Sequence, residues 1–280
     1  MPVITISRQH GARASVVVTM LAEKKGLEVA YKRDIERHLR SIVGGFLAEK
    51  YSSETSPTFL DTVMYNMELW RGLLSEAILS IANRGNVIIY GRGGSFILRG
   101  IPGVVHVLIV GNRKKRIQHI AETNEVSFLE AEEIIDEIEK RREGFHSHHF
   151  GESWPDPGNF DLTLNPLNIG MDRCADIISS LSETPSLSED FRKRGRKMVA
   201  EKYVEVSAGN RIALFADLDH NFFDVSLRKG KEIVVTFYDV PAAVRKTAVS
   251  AVADFHRDLK VIQTDAGHPK AAKGTGGLTK

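Results

Sequence analysis

Residues 3–15 read VITISRQHGARAS, and they decide the class of fold. Val3–Ser7 is a short run rich in β-branched residues, which predicts a buried strand. His10 and Gly11 predict a turn, and a helical pattern then continues to about Gly26. A strand that leads through a tight loop into a helix is typical of phosphate sites, because free backbone N–H groups and the helix dipole face the anion. The stretch therefore indicates either a phosphate site or a plain strand-to-helix turn.

Strands and helices alternate along the next part of the chain. Apolar runs predict strands at Asn86–Tyr90, Val104–Val110 and Phe160–Asn165. Helical patterns predict helices at Lys32–Lys50, Pro57–Arg84, Glu125–Arg142 and Gly170–Leu181. Between the last two of these helices, a loop is expected at Gly144–Gly158. Such alternation predicts an α/β fold with a parallel sheet and helices on both faces. In these sheets ligands bind beyond the carboxyl ends of the strands.

The character of the sequence changes after the Ser- and Pro-containing stretch Ser182–Asp190. A basic helix and a small α+β domain are expected there, with strands at Tyr203–Val206, Arg211–Phe215, Phe222–Leu227, Glu232–Tyr238 and Leu259–Gln263 and a helix at Pro241–His256. The predicted organisation is a first domain at 1–182, a linker and basic helix at 183–202, a small domain at 203–265 and a disordered tail at 266–280.

Composition excludes several classes of protein. The chain has 280 residues, of which 42% are hydrophobic and 26% charged, so it can bury a core and is neither disordered nor collagen-like. The single cysteine, Cys174, cannot form an internal disulfide. No apolar run is long enough to cross a bilayer, and the first residues lack the pattern of a signal peptide. We expect a soluble cytoplasmic protein, and the net charge of +2 gives no reason to expect a specific nucleic-acid partner.

The loop after the first strand departs from the P-loop motif G-x-x-x-x-G-K-[ST]. In that motif the lysine contacts the β- and γ-phosphates and the hydroxyl reaches Mg²⁺. Arg8 stands at the first glycine and Arg13 at the second. Ala14 stands at the lysine, and only Ser15 keeps the type of residue that the motif requires. The motif alone therefore does not identify a P-loop.

Three spaced blocks of sequence resemble the cytidylate kinase-like family of P-loop nucleoside monophosphate kinases. They are ITISRQHG, IIYGRGGSFILRGIPGVVHV and GESWPDPGNFDLTLN, and they follow the order of the family over about residues 1–182. The resemblance implies a P-loop kinase-like parallel sheet, a subdomain for the nucleoside monophosphate and a lid. It also implies ATP and Mg²⁺ as cofactors and a nucleoside monophosphate such as CMP as the acceptor.

The resemblance further implies a role for each residue that matches the family. The residues implied to hold ATP, with Ser15 also reaching Mg²⁺, are Arg8, Gly11 and Ser15. Those implied to bind the acceptor are Gly91, Arg92, Asp161 and Asn165. Those implied to stabilise the phosphoryl group during transfer are Arg116 and Arg142. Arg13 departs from the family's pattern, and it joins them if its charge replaces the missing lysine. Arginine suits these roles because its planar fork fits phosphate oxygens and its charge stabilises the transfer.

Arg13 leaves two interpretations open. Glycine in the family's loop lets the backbone approach the phosphates, whereas Arg13 places a bulky side chain there. Its guanidinium would either replace the missing lysine or fill the phosphate site. The first case gives a kinase that transfers the γ-phosphate of ATP to a nucleoside monophosphate. The second gives a catalytically inactive scaffold that senses nucleotides or binds partners through its C-terminal domain.

The C-terminal part, about residues 200–265, resembles a BON domain in its order of strands, glycine turn and Ala- and Val-rich helix. The resemblance implies a binding module, and the basic stretch Phe191–Lys202 would suit a protein partner or an anionic membrane surface. Formation of a homo-oligomer is the alternative. In the expected lid, His146, His148 and His149 offer metal-ligand chemistry, but a mobile lid favours stacking or exposure of these rings over zinc binding.

Overall fold

Two sheets organise the chain, and they belong to two units. The computed structural model describes residues 2–50, 67–152, 154–183 and 189–266. The first unit comprises Met1–Arg37 and Ile78–Val199, and the second comprises His38–Ala77 and Ala200–Lys280. Each unit is therefore discontinuous in sequence, whereas the domain bounds expected from the sequence are continuous. Those bounds, 1–182 and 203–265, stay a prediction.

A five-stranded parallel sheet forms the centre of the first unit. Its strands are β1 (Val3–Arg8), β2 (Glu28–Ala30), β3 (Val87–Tyr90), β4 (Val104–Ile109) and β5 (Leu162–Leu164). They lie in the order β2-β3-β1-β4-β5, so β1 is central. Ile4 of β1 pairs with Ile88 on one side and Val105 on the other, and all three side chains are buried. The loop that follows β1 therefore starts at the middle of the carboxyl edge of the sheet.

Helices pack against this sheet because their apolar faces require burial. The helices that contribute to the first unit are α1 (Ala14–Lys25), α2 (Lys32–Lys50), α3 (Met67–Arg84), α4 (Gly94–Ile97), α5 (Arg113–Asn124), α6 (Phe128–Phe150), α7 (Pro166–Ile169), α8 (Met171–Glu183) and α9 (Glu189–Ala216). Leu21 of α1 and Ile178 of α8 share a buried cluster with Ile4 of β1. Cys174 of α8 lies in the same cluster, and burial raises the pKa of its thiol to about 11. The predicted α/β class with a parallel sheet is confirmed.

Helix α6 differs from the sequence-based expectation at both ends. A helix was expected at Glu125–Arg142 and a loop at Gly144–Gly158, but α6 begins three residues later and continues to the residue before Gly151. Ser127 and Glu130 form a capping box that fixes its start. Gly151, with φ of 70°, ends it. The additional turns carry aromatic and histidine side chains that pack together, and this packing outweighs the loop-like composition.

A three-stranded sheet lies in the second unit. Strands β6 (Phe223–Arg228) and β7 (Glu232–Tyr238) are antiparallel, and β8 (Lys260–Ala266) is parallel to β7. Helix α10 (Ala242–Phe255) joins β7 to β8. The small separate C-terminal sheet that the sequence predicted is confirmed.

Two of the strands predicted for this region are wrong. Tyr203–Val206 and Arg211–Phe215 both lie in α9. Ala208 and Ile212 are buried four residues apart, which places them on one face of a helix. Neighbouring residues of α9 also form a buried ion pair, in which Arg211 Nη2 lies 3.0 Å from Glu76 Oε1 of α3. The apolar residues that suggested strands are therefore the buried face of a long helix.

Several expectations fall outside the described residues. They concern most of the linker around 184–188, the start of the helix expected at Pro57–Arg84 and, beyond Ala266, the tail. Across the ranges that are described, none of the helices is both long enough and apolar enough to cross a membrane.

Candidate functional site

The loop between β1 and α1 is fastened to the end of β4. The backbone N–H of Gln9 donates to the carbonyl oxygen of Ile109 (2.9 Å), and its side-chain oxygen accepts from the N–H of Gly111 (3.0 Å). Gly11 has φ of 76°, and a Cβ at this position would lie 3.0 Å from the carbonyl oxygen of Arg116. The left-handed backbone and this close approach favour glycine at position 11. The loop is thus shaped against helix α5.

Arg13 is the last residue of this loop and precedes α1. Its φ is 58°, in the left-handed region, and its side chain makes no capping bond. Its Nε is buried and has no hydrogen-bond partner in the described part of the chain. Burial, and then the charge of Arg13, lower the pKa of His119 on α5, so the guanidinium acts on the α5 side of the loop. Arg13 therefore adds positive charge next to the start of α1.

The first turn of α1 suits an anion. It contains no acidic residue, and its first N–H groups precede any carbonyl partner within the helix, although the Val16 N–H donates to the Arg13 carbonyl oxygen at 3.1 Å. Ser15 lies in this turn and is exposed. Ala14, which stands where a P-loop has lysine, is buried. The turn therefore offers N–H groups and one hydroxyl, without the lysine.

Arg116 lies against the loop as a brace. Its side chain is only 4% exposed. Nη1 donates to the carbonyl oxygen of His10 (2.9 Å) and to the carboxylate of Glu139 (2.6 Å), and Nε donates to the carbonyl oxygen of Gly111 (3.0 Å). These bonds tie the loop to α5 and α6. Protein groups thus accept from Nε and Nη1 of Arg116.

A second loop follows β3 and brings two arginines together. Gly91, Arg92 and Gly93 have φ of 83°, 54° and 72°, a run of left-handed residues. A Cβ on Gly91 would overlap Nη1 of Arg8, so glycine leaves room for the Arg8 guanidinium in its present position. Arg92 donates from Nη2 to Oε1 of Glu36 on α2 at 2.7 Å. The two loops therefore place Arg8 and Arg92 at the same edge of the sheet.

A cavity of about 430 Å³ opens between these loops and α6. Its cationic lining residues are Arg8, Lys32, Arg92, Arg141 and Arg142. Its aromatic lining residues are Tyr90, Phe145, His146 and Trp154. Among the described residues no carboxylate lines it. The cavity thus combines a strongly positive side with an aromatic side, and we name it the arginine cavity.

Burial concentrates the positive charge of the arginine cavity. The Arg8 guanidinium lies 4.2 Å from the centre of the Tyr90 ring, and Nη1 of Arg142 donates to the Arg8 carbonyl oxygen at 2.7 Å. Burial, followed by the charge of Arg8, lowers the pKa of Arg142 to about 10. Burial also lowers the pKa of Arg92, and Glu36 opposes that shift. An anion in the cavity would relieve the unfavourable interaction among these cations.

His10 experiences the same positive field. Its pKa is lowered to about 4 by burial and then by the charges of Arg142, Arg8 and Arg116. Its backbone N–H donates to Glu139 at 3.3 Å. His10 is therefore neutral at physiological pH, and it adds no charge to the loop.

The structure does not bring Asp161 to the arginine cavity. Asp161 precedes β5, so it lies away from the carboxyl edge of the sheet. Its Oδ2 accepts from the backbone N–H of His106 at 2.7 Å, and it lines a separate cavity with Gly103 and Phe191. Asn165, in contrast, follows β5 at the carboxyl edge, and its Oδ1 is buried without a hydrogen-bond partner in the described ranges.

Sequence reasoning missed part of this site. Lys32 and Glu36 come from the first turns of α2, and Glu139 comes from α6. Lys32 and Glu36 stand four residues apart on a helix, a spacing that is common on exposed helix surfaces. Nothing in a single sequence distinguishes such a pair from a solvated one, so only the hydrogen bond from Arg92 to Glu36 in the folded chain identifies it.

Residues 9–13 between β1 and α1, which we name the phosphate loop, fit the phosphates of ATP only in part. The N–H groups of α1, the charge of Arg13 and the exposed hydroxyl of Ser15 suit a phosphate chain with Mg²⁺. Within the residues described, no group of three or more His, Cys, Asp or Glu side chains is arranged to hold a metal ion. Mg²⁺ at this loop would therefore take most of its ligands from phosphate oxygens and water.

Comparison with known proteins gives one family. Residues 3–166 match the cytidylate kinase-like family. No curated protein matches the chain. None of the comparisons supports the resemblance of the C-terminal part to a BON domain.

Similar solved structures have low identity to this chain, and the fold is shared with the first of them. An uncharacterized protein from Eubacterium ventriosum has 18% identity and a TM-score of 0.52, over 66% of this chain and 99% of that one. Shikimate kinase from Bacteroides thetaiotaomicron has 13% identity and a TM-score of 0.38, over 65% and 99%. Shikimate kinase from Acinetobacter baumannii, in complex with shikimate, has 15% identity and a TM-score of 0.37, over 65% and 92%.

Proposed function

Because the chain belongs to the cytidylate kinase-like family, we propose that it is a nucleoside monophosphate kinase whose acceptor binds in the arginine cavity. The observation that carries the proposal is the group Arg8, Arg92 and Arg142 around one cavity, which no carboxylate lines among the described residues. The cavity lies beside the phosphate loop, at the carboxyl edge of the parallel sheet. We propose CMP as the acceptor and the cytoplasm as the place where the protein acts.

The acceptor phosphate would be held by arginines from three elements. Arg8 ends β1, Arg92 follows β3 and Arg142 belongs to α6. Each guanidinium presents a planar fork that can donate two hydrogen bonds to phosphate oxygens. Arg8 was expected at the ATP phosphates, but its position in the lining of the cavity supports a role at the acceptor. We leave Asp161 out of this site, because it lines a different cavity.

The donor would be bound at the phosphate loop. The leading N–H groups of α1 and the guanidinium of Arg13 would contact its phosphates, and Arg13 would stand in for the missing lysine. ATP with Mg²⁺ supplies the γ-phosphoryl group and much of its charge neutralisation. Ser15 would contact the Mg²⁺. Arg116 would act through the loop that it braces, and it is thus a positioning residue.

The transfer needs no other co-reactant. An oxygen of the acceptor phosphate forms a bond to the γ-phosphorus, and the bond from that phosphorus to the β-phosphate oxygen breaks. The products are ADP and a nucleoside diphosphate. The arginine cavity would keep the acceptor phosphate in place while Arg142 and Arg13 stabilise the negative charge of the group in transfer.

An inactive nucleotide sensor is the second candidate. The observation that favours it is Ala14, which is buried at the position of the P-loop lysine. In this case the arginine cavity would bind a nucleotide without turnover. The C-terminal unit would then provide the output by binding a protein partner, an anionic membrane surface or a second copy of the chain.

A coupled assay separates the two candidates. The purified full chain is supplied with Mg-ATP and CMP, and ADP formation is followed with UMP and dCMP as alternative acceptors. Turnover that depends on the acceptor, and that is lost in Arg92→Ala but kept in Arg113→Ala, supports the kinase. Arg113 is the matched control because it pairs with Glu132 and Asp136 at the surface. Binding of CMP without turnover supports the sensor, and absence of CMP binding contradicts both.

A further inference from the structure

His146 forms part of the aromatic side of the arginine cavity. It is 8% exposed, and its ring lies 4.8 Å from Phe96, 5.5 Å from Phe150 and 6.3 Å from Trp154, measured between ring centres. Its Nδ1 is buried and has no hydrogen-bond partner in the part of the chain that the structure describes. Because an unpaired buried polar atom destabilises a protein, such an atom next to a cavity points to a ligand group that pairs with it.

The ring of His146 is uncharged. Its pKa is lowered to about 4 by burial, followed by the effects of His149, Arg142 and Arg8. A neutral imidazole carries one N–H donor and one acceptor nitrogen. It can therefore pair with a polar group of a neutral ring, while the nearby arginines bind the charged group of the same ligand.

The cavity has two kinds of lining residue, and each kind suits a different part of a ligand. The guanidinium groups of Arg8, Arg92 and Arg142 suit a phosphate, whereas the aromatic lining residues Phe145 and Trp154 suit a flat aromatic ring. A volume of about 430 Å³ lies within the range of small-molecule sites. The cavity thus fits a phosphate that is attached to an aromatic heterocycle better than it fits a free phosphate.

We propose that His146 is a specificity-determining residue, which hydrogen-bonds the polar edge of a nucleobase that lies along the aromatic side of the arginine cavity. The inference rests on the proposed function, since it assumes that the arginines hold the phosphate of the same nucleotide. A metal ion bound through the histidines does not fit this position, because cationic side chains line the cavity and the described residues hold no suitable group of ligands.

Two probes and three variants test the inference. CMP and ribose 5-phosphate, which lacks the base, are titrated by calorimetry into wild type, His146→Phe, His146→Gln and His148→Phe. Phenylalanine keeps an aromatic ring among Phe96, Phe150 and Trp154, and glutamine restores a donor and an acceptor. His148 is the matched control because it is on the same helix, is exposed and does not line the cavity.

We expect His146→Phe to weaken CMP binding by about tenfold and to leave ribose 5-phosphate unchanged. His146→Gln recovers part of the CMP affinity, and His148→Phe behaves as wild type. Unchanged CMP affinity in His146→Phe, or an equal loss for both probes, overturns the role of His146 and leaves the proposed function standing. If wild type binds ribose 5-phosphate as tightly as CMP, the base subsite is overturned while the phosphate site remains. If neither probe binds wild type, the proposed function and the inference both fail.

Discussion

Arg142 Nη1 donates a hydrogen bond to the backbone carbonyl oxygen of Arg8 at 2.7 Å, and this bond joins helix α6 to the end of β1. Both residues line the arginine cavity, and the charge of Arg8 contributes, after burial, to the lowered pKa of Arg142. The free protein thus keeps two cations close together in a half-buried cavity. An anion that binds between them removes this repulsion, and the cavity is prepared for a phosphate before the ligand arrives.

Gly91→Ala tests whether the Arg8 guanidinium needs the space above Gly91. The added methyl group would displace Nη1 of Arg8, so we expect CMP affinity to fall by about tenfold or more. Gly100→Ala is the matched control, because Gly100 also has a left-handed φ of 73° but has no atom within 4 Å of the new Cβ. Both variants should lose about 1–2 kcal/mol of stability from backbone strain. Equal CMP affinity in the two variants would show that Arg8 does not contact the acceptor.

Arg116→Met tests the brace of the phosphate loop. The substitution removes hydrogen bonds to His10 and Gly111 and takes the guanidinium away from the carboxylate of Glu139, which keeps only the longer bond from the His10 N–H. We expect the free energy of unfolding in urea to fall by about 3 kcal/mol, as for other broken buried ion pairs. Arg113→Met, at the start of the same helix, breaks only exposed pairs and should remain close to wild type. A wild-type unfolding curve for Arg116→Met would contradict the bracing role.

Arg13→Ala tests whether Arg13 replaces the P-loop lysine. Alanine keeps the non-glycine residue at φ of 58° and removes the guanidinium, so the charge is the main change. We expect affinity for Mg-ATP to fall by about tenfold or more, and affinity for CMP to remain, since Arg13 does not line the arginine cavity. Arg13→Lys should retain part of the Mg-ATP affinity. A rise in Mg-ATP affinity in Arg13→Ala would mean that the arginine fills the phosphate site.

The buried histidines predict a loss of stability in mild acid. His146 has a pKa of about 4 in the folded protein, against about 6.5 in an unfolded chain. Between these values the unfolded chain binds more protons, so the free energy of unfolding falls as the pH is lowered from about 6.5 to 4. His10 and His256 have the same sign, with pKa values of about 4.

Urea unfolding of wild type and His146→Phe at several pH values measures how the free energy of unfolding depends on pH. The variant lacks one of the groups that the unfolded chain protonates, so its stability should depend less steeply on pH in the same interval. Parallel curves for the two proteins would contradict a depressed pKa at His146.

The strands of the sheet could be predicted because buried strands appear in the sequence as short apolar or β-branched runs. The β-branched run at Val3–Ser7 and the apolar runs that became β3 and β4 predicted the central strands, and glycine and polar residues after them predicted the edge where the cavity lies. Strand β2 was missed, since it has only three residues and its Glu28 is exposed. Its place beside β3 depends on contacts that are distant in sequence.

The sequence predicted where a residue of the candidate site lies only when that residue directly follows a buried strand. Arg92 follows a buried strand, so its place at the carboxyl edge followed from the strand. Asp161 was assigned by motif alone, and the start of β5 places it away from that edge. His146 and Trp154 fell in a stretch with loop-like composition, and the continuation of α6 could be inferred only from the aromatic packing that the folded chain shows.

Calorimetric titration of CMP into wild type and Arg92→Ala tests the central claim most directly. The account predicts saturable binding of one CMP per chain in wild type. In Arg92→Ala it predicts an affinity lower by about 1.5–3 kcal/mol, which is about 10- to 150-fold, the scale of a hydrogen bond to a charged group. Equal affinity in the two proteins would contradict the assignment of the arginine cavity to the acceptor phosphate.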